Sequence, residues 1–107
     1  MVNETAKLSS SEGLELQESH ARNQIVAAEI LAERRQQFKK WGAQNHSVDR
    51  WLVILGEEFG EACHAAFNIG RIESAVVYKG SIRAFKQELI QTAAVAMAIA
   101  TAIDEYL

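Results

Sequence analysis

Residues 93–103, AAVAMAIATAI, place an apolar side chain at ten of eleven positions. A helix built from this stretch is apolar round most of its circumference, and such a helix has to be covered on nearly every side. Eleven residues are too few to cross a bilayer, which takes about 20, so the cover must be protein. The chain has 107 residues, no Pro, 49% hydrophobic content and only 7% aromatics. That composition favours helices whose backbones approach closely over small side chains, in one domain rather than two. The expected class is therefore all-α, a helical bundle. Three helices with apolar faces this wide leave surface uncovered in a monomer of this size, so the bundle is expected to be completed by oligomerisation, as a homodimer or homotetramer.

Turn and cap signals divide the chain. The opening MVNETAKLSSSEG is polar and Ser-rich and reads as a loosely held arm over residues 1–15, ahead of a domain spanning 16–107. A first helix is expected to begin between Gly13 and Arg22 and to end near Lys40, where Gly42 and AQNHS supply a stop and a turn. Ser47 suits an N-cap, with Asp49 in the first turn, for a second helix from about Val48 to Asn68 closed by Gly70. A linker around GRIESAVVYKGS follows. The third helix then starts either at Ser81 or, a turn or two earlier, at Ser74 with Gly80 as an irregularity, and reaches Glu105.

Charge and cysteine content exclude several functions. A net charge of −3 offers no basic field for a phosphate backbone, so nucleic acid is not an expected partner. The single Cys63 cannot form an internal disulfide, and neither a secretory signal nor a lipid-spanning run is present. A reducing cytoplasm and no membrane association are expected.

Against this apolar background, residues 57–63 read EEFGEAC. At about 100° per residue, Glu58 falls inside the face made by Trp51, Leu55, Ala62 and Ala66. Glu61 lies on its border and Glu57 further out, towards His64; Cys63 is on the flank, where packing is the expected role. In the third helix Glu88 shares a face with Phe85, Val95, Ile99 and Ala102, with Gln91 beside it. A carboxylate facing a core without a partner costs several kcal/mol or takes up a proton. Neither helix carries a Lys or Arg beside these acids. Arg34, at the centre of the Ala27, Ile30, Leu31, Phe38 and Trp41 face of the first helix, is one guanidinium against three or four carboxylates. Divalent cations can balance them, and oxygen-only ligands favour Mg²⁺ or Mn²⁺ over Zn²⁺. Glu58 with Glu61, and Glu88 with Gln91, are i, i+3 pairs that can meet one ion between two helices.

The acidic pattern EExxE, followed by ExxQ, resembles the EExxE…ExxD signature of the MazG-like all-α nucleoside triphosphate pyrophosphohydrolases. RRQQFKKWGAQNHSVDRWLVILGEEFGEA resembles the first half of that family's domain, including relatives that act on dCTP, and FKQELIQTAAVAMAIATAID resembles the second half. The resemblance spans roughly residues 30 to 104. It implies metal coordination by Glu58, Glu61 and Glu88, with Glu57 as a further ligand or the residue that orients the attacking water. The family's fourth acid is an Asp, and Gln91 stands there instead. An amide oxygen still ligates Mg²⁺, but the site loses one negative charge. The implied reaction cleaves a nucleoside triphosphate between its α and β phosphates, giving the monophosphate and pyrophosphate in nucleotide clearance. The same resemblance points to Trp41 as a stacking surface for the base, with Asn45 and His46 as hydrogen-bonding groups. Arg34, Lys79, Arg83 and Lys86 are candidate phosphate partners.

Two other readings compete. Glu61 and His64 form Glu-x-x-His, half of a di-iron carboxylate ligand pattern, although a second such pair is missing from the chain. A helical oligomer in which Gln91 has weakened the metal site, leaving a non-catalytic nucleotide- or partner-binding protein, is the second.

Overall fold

In the computed structural model the described residues are 8–69 and 75–106, and they form three helices with no strand: α1 Ser10–Trp41, α2 Val48–Ile69 and α3 Ala75–Tyr106. The fold is all-α, as the composition requires.

Local chemistry explains the helix ends. Ser9 caps α1, its Oγ accepting the Glu12 N–H at 3.2 Å, which satisfies one of the free N–H groups of the first turn. The helix therefore starts ahead of Gly13, and residues 10–15 of the expected arm are helical; residues 1–7 lie outside the described part. At the other end Gly42 adopts φ 71° and donates its N–H to Phe38 O at 2.7 Å. A positive φ is open to Gly at little cost, so this stop sits where the sequence placed it. Ser47 caps α2 as expected, accepting the Arg50 N–H on Oγ at 3.2 Å, while its carbonyl accepts the Trp51 N–H at 3.0 Å. The third helix begins at Ala75 and runs through Gly80, so Ser81 is an interior residue of α3 and not its cap. Ser74 and the closing Gly70 lie outside the described residues.

α3 is the central element. It packs most extensively along α2 and also against α1, whereas α1 and α2 barely meet. The core is Trp51 and Ala62 of α2 with Ile90, Ala94, Val95 and Ala98 of α3. Ala94 is completely buried; a methyl group at this crossing lets two backbones approach more closely than a Leu would allow. The most buried stripe of α3 is thus Ile90, Ala94, Val95 and Ala98, rotated from the expected Phe85, Val95, Ile99 and Ala102 stripe. The reason is geometric: α3 has a neighbour on two sides, so its buried arc is wide and Glu88 falls at the arc's edge.

The molecule extends 47 × 45 × 23 Å. A 32-residue helix is about 48 Å long, so two long dimensions mean that the helices cross instead of lying side by side. α1 touches the rest through its C-terminal half, where Gln37 is buried and Ile30, Glu33 and Arg34 are half-buried. Leu31, Phe38 and Trp41, expected on an inward face, are about half exposed, and Cys63 is exposed too. No described helix is long and apolar enough to cross a membrane.

Candidate metal centre and its cleft

Glu58 and Glu61 sit one turn apart on α2, and Glu88 reaches them from α3. One carboxylate oxygen from each lies within 4.8 Å of the others. Glu58 and Glu88 are half-buried and Glu61 is exposed. Among the described residues Glu58 Oε2 and Glu88 Oε2 are buried without any hydrogen-bond partner, an arrangement that costs free energy unless something supplies positive charge or a proton.

The electrostatics show that strain. Burial pushes the Glu58 carboxyl up from its ordinary 4.5, and the neighbouring charges of Glu61, Glu88, Glu33 and Glu57 push it further. Burial also raises Glu88, followed by its contact with Glu61. Two carboxyl groups hydrogen-bond to each other only when one keeps its proton, so that contact favours the protonated form.

The donor set fits a hard divalent cation. Oxygens on one octahedral Mg²⁺ at about 2.1 Å are about 3.0 Å apart in adjacent positions and about 4.2 Å apart in opposite ones, so side-chain movement of about an ångström closes these three onto one ion. Gln91 is half-buried and lines a cleft of about 500 Å³ together with Glu58 and Glu61, while its backbone carbonyl accepts Gln37 Nε2–H at 3.3 Å. Glu57 is exposed on the neighbouring position of α2 and lines the hollows on either side, one shared with Glu61, His64 and Glu88 and the other with His46, Trp51 and Glu58. His64 is exposed and is not one of the three converging ligands, although it lines the hollow shared with Glu57, Glu61 and Glu88.

Trp41 ends α1 with its ring about half exposed. It lines both the carboxylate cleft and the adjoining hollow of about 360 Å³ that contains His46 and Trp51, and Lys40 Nζ lies 4.9 Å from its ring centre. His46 packs edge-on against Trp51, centroids 4.7 Å apart at 82°, with Nε2 buried and without a hydrogen-bond partner among the described residues. Asn45 lies beyond it, on an apolar cavity of about 240 Å³ shared with His46, Trp51 and Tyr106. Trp41 and His46 are therefore brought together, and Asn45 faces the other side of His46.

The basic candidates are dispersed. Arg34 donates to Gln37 Oε1 at 3.4 Å and lines a shallow apolar hollow with Leu31 and Phe38, away from the carboxylates. Lys79 and Arg83 are exposed and do not line the carboxylate cleft. Lys86 pairs with Glu29 at 3.2 Å.

Five cleft residues of α1, Glu33, Gln36, Gln37, Lys39 and Lys40, escaped the sequence reading. Glu33 lines the cleft and adds its charge to Glu58; Gln37 joins α1 to α3. The i, i+4 spacing of Glu33 and Gln37 puts those two on one face of α1, and that polar pair was the available signal, masked by the apolar stripe around Arg34. No protein-family model, curated protein or solved structure matches the chain.

Proposed function

We propose that the protein is a Mg²⁺-dependent, MazG-like nucleoside triphosphate pyrophosphohydrolase that releases a monophosphate and pyrophosphate. One observation carries this reading: three carboxylates from two crossing helices converge beside a cleft that Glu58 and Glu61 line, and Glu58 and Glu88 each have a buried oxygen that nothing among the described residues satisfies. A bound divalent ion would neutralise charge developing on the phosphates and lower the pKa of a water. Glu58, Glu61 and Glu88 would hold it, and the amide oxygen of Gln91 stands beside them. In the reaction a water oxygen bonds to phosphorus, the α–β bridging P–O bond breaks and pyrophosphate leaves. Glu57, on the same turn and exposed, is the residue assigned to orient that water and take its proton. The cleft volume of about 500 Å³ suits a ligand of nucleotide size, and Trp41 offers a ring face at its edge. Mn²⁺ meets the same oxygen set.

The half-exposed Leu31, Phe38 and Trp41 along α1 support completion of the bundle by further copies, as a homodimer or homotetramer. The lone Cys63 suits a reducing cytoplasm.

The test is pyrophosphate release from a panel of canonical and modified (d)NTPs with Mg²⁺. Release from at least one, lost in Glu58→Gln, is expected. No release from any, with nucleotide binding intact, would favour the non-catalytic binding protein, a reading to which Gln91 at the cleft gives its one specific support. Gln91→Asp is expected to tighten metal binding by restoring a charge.

A further inference from the structure

The carboxylate cleft has a second, oppositely charged side. Glu58 and Glu61 of α2 and Gln91 of α3 share it with Lys39, Lys40 and Trp41, the last three residues of α1. Lysines in a final turn complement the helix macrodipole wherever they point. That role does not require both of them to line the cavity that holds an acidic cluster.

Neither lysine forms an ion pair among the described residues. Among the described residues the one ion pair is Lys86 with Glu29, although Glu33, Glu58 and Glu61 line the same cleft as Lys39 and Lys40. Lys40 places its ammonium 4.9 Å from the Trp41 ring centre instead, a cation–π contact that is weak at an exposed site and readily exchanged for a phosphate oxygen. The cleft thus combines carboxylates that need a cation with ammonium groups that lack an anion. A polyphosphate chain carrying a divalent ion answers both needs at once.

We propose that Lys39 and Lys40 bind the polyphosphate chain of the nucleotide, Lys40 leaving the Trp41 ring to do so. This rests on the nucleotide reading above, and it places the phosphate contacts on the C-terminal turn of α1 while Lys79 and Arg83 stay outside the cleft. Lys40 then links two events: a base stacking on the face of Trp41 that Lys40 covers releases the ammonium towards the phosphates.

Calorimetric titration of the full chain with inorganic tripolyphosphate and Mg²⁺ tests the lysines without any turnover. Lys39→Met and Lys40→Met are each expected to weaken binding about tenfold, and Lys40→Arg to stay within about threefold of wild type. Both side chains are exposed, so helical content by circular dichroism should not change. A Lys39→Met/Lys40→Met double variant that binds tripolyphosphate as tightly as wild type overturns the proposal. Pyrophosphate release separates the two claims. A wild-type chain that turns over a nucleotide with an unchanged KM in the double variant removes the lysines from the site and leaves the hydrolase standing. A chain that binds tripolyphosphate through the lysines yet releases no pyrophosphate removes the hydrolase and leaves the polyphosphate site standing.

Discussion

The crossing of α2 with α3 and the outer face of α1 are both apolar in sequence, and they end in opposite environments. At the crossing, Trp51, Ala62, Ile90, Ala94, Val95 and Ala98 are buried. On α1, Leu31 and Phe38 stand about half in solvent. A helical stripe of apolar residues therefore states that something must cover it, and leaves open whether the same chain does so. Where the partner helix lies in the same chain, the acids inside the stripe become a defined cluster. Where it does not, as around Arg34, the stripe stays half exposed, and its cover by another copy is the proposal to test.

Truncation at the two places should separate them. Trp51→Ala empties the core beneath His46 and is expected to lower the unfolding free energy by about 3–5 kcal/mol, at every protein concentration. Phe38→Ser is expected instead to lower the apparent mass in sedimentation and to make thermal stability depend more steeply on concentration. An unchanged mass with a stability change within about 0.5 kcal/mol, the ordinary surface value, would show that no second copy covers α1.

The carboxylates sharpen the contrast through pH. Glu58 and Glu88 have folded-state pKa values raised above the ordinary 4.5. Just above that value the folded chain binds more protons than the unfolded chain, so without divalent cation stability should fall as pH rises through the raised values. Thermal melts in chelator, from pH 4 upward, should show this fall, and Mg²⁺ should reverse it. Glu88→Gln, which removes the charge and keeps the shape, should raise the melting temperature in chelator at pH 7 and remove the gain from Mg²⁺. The smallest effect is expected at Lys86, whose pair with Glu29 is solvent-exposed. Lys86→Ala should cost no more than about 1 kcal/mol in urea denaturation.

These contrasts also show what was legible beforehand. The caps at Ser47 and Gly42 are local chemistry, set by a side chain or a φ angle within one turn, and the reading at those two positions agrees with the structure. The inward phase of Glu58 was equally readable, because α2 has its main neighbour on one side. α3 was harder: with helices packed on two sides its buried arc is too wide for one wheel position to name, so the stripe moved to Ile90, Ala94 and Ala98. α1 hid the most. Its contribution to the cleft, through Glu33, Gln37, Lys39 and Lys40, depends on a crossing angle that no spacing within α1 encodes.

The central claim is that Glu58, Glu61 and Glu88 converge because they share a divalent cation. Titrating Mn²⁺ into the full chain while following free Mn²⁺ by electron paramagnetic resonance tests it directly. Saturable binding that Mg²⁺ displaces, weakened at least about tenfold in Glu61→Gln and in Glu88→Gln, is the expected result. Binding that does not saturate, or that is the same in wild type and both variants, would contradict the claim.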